Sequence, residues 1–142
     1  MERECNCPYC GELITRGEYI SLDLPFPPSA NEYWRFVQGY AHPLLSAEAR
    51  TYSRHVGNVV FASGVKRPLK GRLGVTMLLH APDARRRDLD NYLQGPFDAL
   101  TKSGLWEDDS QVDKLVVIRE SVDVSKPRIS TIIEHVKINT VF

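Results

Sequence analysis

Arg85, Arg86 and Arg87 run directly into Asp88-Leu89-Asp90-Asn91, and Glu107-Asp108-Asp109 follows about twenty positions later. Two carboxylates spaced i, i+2 in an extended segment fall on one side of the backbone. A third brought beside them makes a cluster that cannot stay fully ionised unaided at neutral pH. It either retains a proton or takes a divalent cation. Hard oxygen ligands favour Mg2+ or Mn2+, and three neighbouring guanidinium groups suit a polyanion. Carboxylates, a divalent cation and a basic run together point to phosphodiester chemistry. The bland alternative gives Asp90 or Asn91 to a helix cap and Asp108 or Asp109 to the next turn, with the arginines as a solvated loop. Spacing alone leaves the two readings level. His42, His55, His80 and His135 are scattered, with no Ser or Cys at telling distance, which argues against a nucleophilic triad.

The elements that must hold these residues can be read from apolar periodicity. Tyr19 to Leu24 alternates and predicts a strand, followed by a rigid loop at Pro25-Phe26-Pro27-Pro28-Ser29-Ala30-Asn31. Tyr33 to Phe36 and Ala41 to Leu45 form a short hairpin in this reading. Ser46 caps a helix that runs to about Ser63 and stops at Gly64. Gly71 to Ala81 reads as a central strand that delivers the chain to the Arg/Asp run. A second helix follows from about Asp90 to Ser103, with Pro96 inside it implying a kink or a later start. Asp108-Asp109-Ser110 opens a turn, and Leu115 to Ser121 and Arg128 to Val136 are two further strands. The order suggests an α/β (α+β) fold, a single mixed sheet with two main helices packed on it.

With 142 residues, 42% apolar and 25% charged, the chain is one ordinary globular domain, residues 18–142, behind an extension at 1–17. No apolar run approaches the roughly 20 residues a membrane span needs, and no signal pattern opens the chain, so no membrane partner and a cytoplasmic site are expected. Net charge is zero, which argues against an evenly basic nucleic-acid coat. The balance is local instead: from Lys66 to Arg87 there are seven basic residues against one acid, Asp83. The extension carries Cys5, Cys7 and Cys10, half of a zinc ribbon by spacing. A structural Zn2+ site wants four ligands, and no second cysteine pair exists, so a reduced tail is favoured over a zinc module.

Four blocks, Pro27-Pro28-Ser29-Ala30-Asn31, Arg85 to Asn91, Phe97-Asp98-Ala99-Leu100-Thr101-Lys102 and Gly104 to Val112, resemble the RusA-type Holliday junction resolvases over roughly Tyr19 to His135. The resemblance implies a small homodimeric endonuclease, in a family often phage-borne, that binds branched DNA (four-way junctions) and nicks two strands symmetrically. It implies Mg2+, with Mn2+ possible, held by Asp88, Asp90 and Asp109, with Asn91 and Arg87 at the family's adjacent positions. Candidate DNA contacts are Arg85, Arg86, Arg87, Asn31, Lys102 and Gln94. Tyr33, Trp34 and Phe36 could stack on unpaired bases, although alternating aromatics more often pack in a strand. One departure stands out: where the family pattern has a lysine one turn after the Asp-Leu-Asp-Asn block, this chain has Gln94. A missing cation of that kind is worth about 3–4 kcal/mol of transition-state stabilisation. Two rivals follow, a junction-binding protein with weak or lost catalysis and a Mg2+-dependent nucleotide hydrolase.

Overall fold

The structure, a computed structural model, describes residues 19–136. Strand β1 (Tyr19–Pro25) turns Leu22 and Leu24 into the core and ends where the prolines forbid further pairing. The chain then makes a single helical turn, α1 (Ala30–Tyr33), and a two-residue ladder, β2 (Trp34–Arg35) with β3 (Leu44–Leu45). The expected hairpin is therefore present but minimal. Tyr33 lies in the helical turn rather than in a strand, and it is buried.

Helix α2 (Ala47–Ala62) starts where Ser46 Oγ accepts the Ala49 N–H at 3.1 Å. Ala49, Tyr52, Val56 and Val60 recur at three- and four-residue spacing and form its buried stripe. It stops before Gly64, whose φ of 84° suits only a residue without Cβ. Strand β4 (Leu73–His80) follows, with Leu73, Val75, Met77 and Leu79 buried.

The second predicted helix begins later than the sequence suggested. Leu89–Tyr92 is a 3-10 turn, and the true helix is α3 (Gln94–Lys102). Pro96 is its third residue, inside the first turn, where no backbone N–H has an intrahelical partner, so it starts the helix without kinking it. A second 3-10 turn at Asp109–Gln111 leads into β5 (Val112–Arg119), three residues earlier than expected. Strand β6 (Arg128–His135) ends the described fold.

The sheet order is β1-β6-β4-β5, antiparallel throughout except for the parallel pair β4 and β5. Parallel neighbours cannot be joined by a hairpin, so the chain must return the length of the sheet between them. Helix α3 makes that return and packs on α2. The core gathers Leu24, Val56, Met77, Leu100, Leu105, Trp106, Ile129 and Ile133 between the sheet and the two helices, as the mixed-sheet reading expects. No helix of the described residues is long and apolar enough to cross a membrane.

Candidate functional site

The loop leaving β4 is organised by Asp83. Its carboxylate accepts the Arg85 N–H at 3.0 Å and Arg85 Nε–H at 3.1 Å, and pairs with Arg87 Nη1 at 2.7 Å. Arg87 first and Arg85 second hold the Asp83 carboxyl far below the usual carboxylate range. Arg87 also donates to the Asp83 carbonyl at 3.0 Å and lies over the Phe26 ring, 5.6 Å from its centroid. Its side chain is only 13% exposed, so it is the spine of the loop rather than a free phosphate clamp. Arg119 donates to the Arg87 carbonyl from β5, tying the loop to the sheet.

Two hollows flank this spine. An apolar one of about 210 Å3 is lined by Phe26, Leu79, Leu89, Tyr92, Arg119 and Val122. A polar one of about 260 Å3 is lined by Ser29, Glu32, Arg85, Arg86, Arg87 and Tyr92. Arg86 is exposed and has no partner among the described residues, which leaves its guanidinium available to a phosphate. Asn31 is exposed on α1, the turn that supplies Glu32 to the same hollow.

Asp88 is the last extended residue before the 3-10 turn and stands at its N-cap position without making a cap hydrogen bond. Asp90 lies inside the turn, so the expected extended i, i+2 pairing of the two carboxylates is replaced by a tighter curve. Both are exposed, Asn91 is half-buried beside them, and Gln94 is exposed at the first position of α3. Asp88, Asp90, Asn91 and Gln94 thus gather where the chain leaves the carboxyl end of β4.

Asp109 does not join them. In a strand-helix-strand unit with parallel strands, the segment leaving the first strand and the segment entering the second lie at opposite ends. Val112 sits beside Leu73 and Arg119 beside Leu79. Eight residues of strand therefore separate Asp109 from the Asp88 end, on the order of 20 Å. Consistently, among the described residues no three His, Cys, Asp or Glu side chains stand close enough together to hold a metal ion. The expected three-aspartate centre is not formed within one chain.

The far end is locally well ordered. Asp108 is consumed by a capping box with Gln111 and accepts the Ser110 N–H at 3.3 Å; the Ser110 side chain first and its backbone N–H second lower the Asp108 pKa. Asp109 is exposed and accepts no hydrogen bond from the described residues. Of the two, it is the carboxylate left free. Lys102 is also at this end, paired with Asp98 at 3.0 Å, and Asp98 in turn accepts the Tyr33 hydroxyl. Tyr33 is therefore a buried strut and not a base-stacking platform, whereas Phe36 is 87% exposed. Cys5, Cys7 and Cys10 lie outside the described residues.

The family model for endodeoxyribonuclease RusA matches residues 25–134. The chain belongs to the RusA family. Crossover junction endodeoxyribonuclease RusA of Shigella sonnei is 42% identical over 106 residues, covering 72% of this chain and 83% of that protein. The protein of the same name from Escherichia coli K12 matches with the same identity and shares. Crossover junction endodeoxyribonuclease rusA of Enterobacteria phage 82 is 42% identical over 105 residues, 71% of this chain and 82% of that protein. As a RusA-family member the chain is an endodeoxyribonuclease, and the family match takes in the Pro-rich loop, the Arg/Asp run and the Asp109 turn while leaving out the cysteine head. Sequence reasoning had passed over Phe26, Asp83, Tyr92 and Arg119, which shape this RusA loop. The lone acid in a basic segment was the available signal for Asp83; Arg119 gave none, because its reach to residue 87 depends on strand pairing.

Proposed function

We propose that this protein resolves four-way DNA junctions by paired symmetric nicks, acting as a homodimer in the cytoplasm of a bacterial or phage-infected cell. What carries the reading is a preorganised basic loop with two exposed aspartates on the turn that follows it, Arg85 to Asp90, in a chain of the RusA family. Arg86, with Arg85 beside it, takes phosphate oxygens, and the half-buried Arg87–Asp83 spine keeps the loop from collapsing when the DNA charge arrives. Asp88 and Asp90 present carboxylates to the scissile region, Asn91 orients it, and Gln94 donates a hydrogen bond to a phosphate oxygen.

The cation expected for this chemistry, Mg2+ with Mn2+ as a substitute, does not find a complete set of carboxylates among the described residues of one chain. Mg2+ commonly keeps several waters and takes only one or two carboxylates besides phosphate oxygens, so the Asp88/Asp90 pair is a foothold and not a finished site.

One observation favours a second reading. Gln94 puts a neutral amide at the first turn of α3, where the family pattern has a cation, which suits a junction binder with weak cleavage. A single experiment decides between them. Purified protein is incubated with a four-way junction or a linear duplex, in Mg2+ or chelator, as wild type and as Asp90→Asn. Metal-dependent nicking confined to the junction and lost in Asp90→Asn supports resolution. An intact junction in Mg2+, or an Asp90→Asn variant that cuts as fast, overturns it.

A further inference from the structure

We infer that the turn joining β2 to β3 is a base-stacking tip: Phe36 and Tyr40 take the unstacked nucleobases at the branch point of the junction, while Arg35 and Arg50 hold the backbone beside them. This deepens the junction reading above and rests on it. The tip is a built turn. The Tyr40 N–H donates to the Val37 carbonyl at 3.2 Å, and Gly39 supplies the positive φ, 92°, that the third position of such a turn requires. Below it, the Ser46 N–H donates to the Tyr33 carbonyl at 3.0 Å and closes the ladder onto α1. Trp34 folds back edge-on against Tyr33, with centroids 5.2 Å apart. Phe36, two residues further on, does not. It is 87% exposed, Tyr40 is 64% exposed, and neither ring has an aromatic neighbour among the described residues.

What such rings meet follows from their setting. No acid lies between Glu32 and Glu48, and Arg35 is exposed within the ladder. Arg50 donates to the Leu45 carbonyl at 3.0 Å, which stations its guanidinium at the foot of the hairpin. Aromatic faces set among cations, with no carboxylate to repel a phosphate, form the kind of surface that binds nucleic acid through unpaired bases. A continuous duplex hides its base faces in the stack, whereas a branch point breaks the stack and offers them. The hairpin is also within reach of the arginine loop. Helix α1 touches the 3-10 turn that carries Asp90, and its Glu32 lines the polar hollow with Arg85, Arg86 and Arg87. Phe36 is four residues from Glu32, at most about 14 Å along the chain. A phosphate lodged in that hollow and a base on Phe36 are then on the order of four stacked base steps apart. The tip meets the feature that distinguishes a junction from duplex, and the arginine loop meets the backbone that both share.

Equilibrium binding to a four-way junction and to a linear duplex is measured in chelator for wild type, Phe36→Ser combined with Tyr40→Ser, Phe36→Leu and Phe36→Trp. Both rings are exposed, so the melting temperature should not move. The double variant should bind the junction at least about tenfold more weakly and the duplex as wild type does. Phe36→Trp should keep the junction preference, while Phe36→Leu, apolar but without a π-face, should reduce it. A 5-iodouracil at the branch point should crosslink on irradiation to the peptide that holds Phe36 and Tyr40, and the same base in the middle of a duplex arm should not. A double variant that keeps the full junction preference, a Leu variant equal to the Trp variant, or a branch-point crosslink that falls only outside the hairpin overturns the inference. Wild-type nicking of junctions in Mg2+ then leaves the nuclease reading standing. A double variant that changes its oligomeric state in sedimentation velocity assigns the rings to a protein contact and also overturns the inference. A wild type that prefers the junction through these rings yet leaves it intact in Mg2+ removes cleavage alone and upholds the tip.

Discussion

Truncating Trp106 tests whether the Asp109 end is built as described. The indole is 1% exposed, stacks on Phe97 with centroids 5.7 Å apart, and donates from Nε1 to Thr101 Oγ1 at 2.7 Å. Its neighbour Leu105 accepts the Leu69 N–H at 2.7 Å, so this short stretch seals the gap between α3 and the strands. Trp106→Ala loses the buried ring and leaves a cavity, about 3–5 kcal/mol. The Thr101 hydroxyl is not orphaned, because it donates to the Phe97 carbonyl at 2.9 Å, and no further penalty is added. Trp106→Phe keeps a ring against Phe97 and loses the hydrogen bond, about 1–2 kcal/mol. Unfolding entropy near 2.1 cal/mol/K per residue gives about 0.3 kcal/mol/K for a chain of this size. The midpoint should therefore fall by roughly 10–17 °C for Ala and roughly 3–7 °C for Phe in a thermal melt followed by circular dichroism. At 25 °C the Phe variant should nick junctions at close to the wild-type rate, since Trp106 supports Asp109 without touching DNA. An Ala variant melting within about 3 °C of wild type, or a Phe variant as damaging as Ala, would refute this reasoning.

The arginines should separate by role. Arg86→Ala should weaken junction binding, reduce the salt slope of affinity by about one unit and leave the melting temperature alone; Arg87→Ala should lower the melting temperature through loss of its Asp83 and Phe26 contacts. Equal effects of the two on binding and on melting would contradict the division. Gln94→Lys restores a cation beside Asp88 and Asp90 and should raise single-turnover nicking up to about 100-fold; an unchanged rate means Gln94 is not limiting. Acid should act through the depressed carboxylates. Asp83 is held low by Arg87 and Arg85, and Asp123 is lowered to about 2 by Ser125, Arg128 and Lys126. Both bind protons more tightly when unfolded, so their stabilisation is present above about pH 4 and is lost as pH falls toward 2. Asp123→Asn should flatten the melting-temperature profile in that window, and a profile parallel to wild type speaks against it.

Periodicity made α2, β4 and β6 readable, because each buries a regular stripe and is punctuated by a capping serine, a glycine or a proline. The start of α3 was harder. Leu89 and Leu93 carry helical spacing, yet Leu89–Tyr92 is a 3-10 turn and the helix opens just ahead of Pro96. The four motif blocks pointed to the candidate site residues, of which Asp88, Asp90 and Asn91 share one turn. What no local pattern could show is that β4 and β5 lie side by side in parallel, which is a property of pairing across 39 residues between Leu73 and Val112. That one topological fact decides that Asp109 stands apart from Asp88 and Asp90. Nor could a local pattern show that Arg87, the arginine nearest the acids in sequence, is held by Asp83 and Phe26 while Arg86 has no partner among the described residues.

The most direct measurement uses a supercoiled plasmid that extrudes a cruciform, with wild-type protein and Mg2+ under single-encounter conditions. In the proposed homodimer, two active centres related by a two-fold axis should cut opposing strands during one residence, so linear plasmid should form without accumulation of nicked circle. Nicked circle as the dominant product, with linear DNA arising only on rebinding, would contradict resolution by paired symmetric nicks.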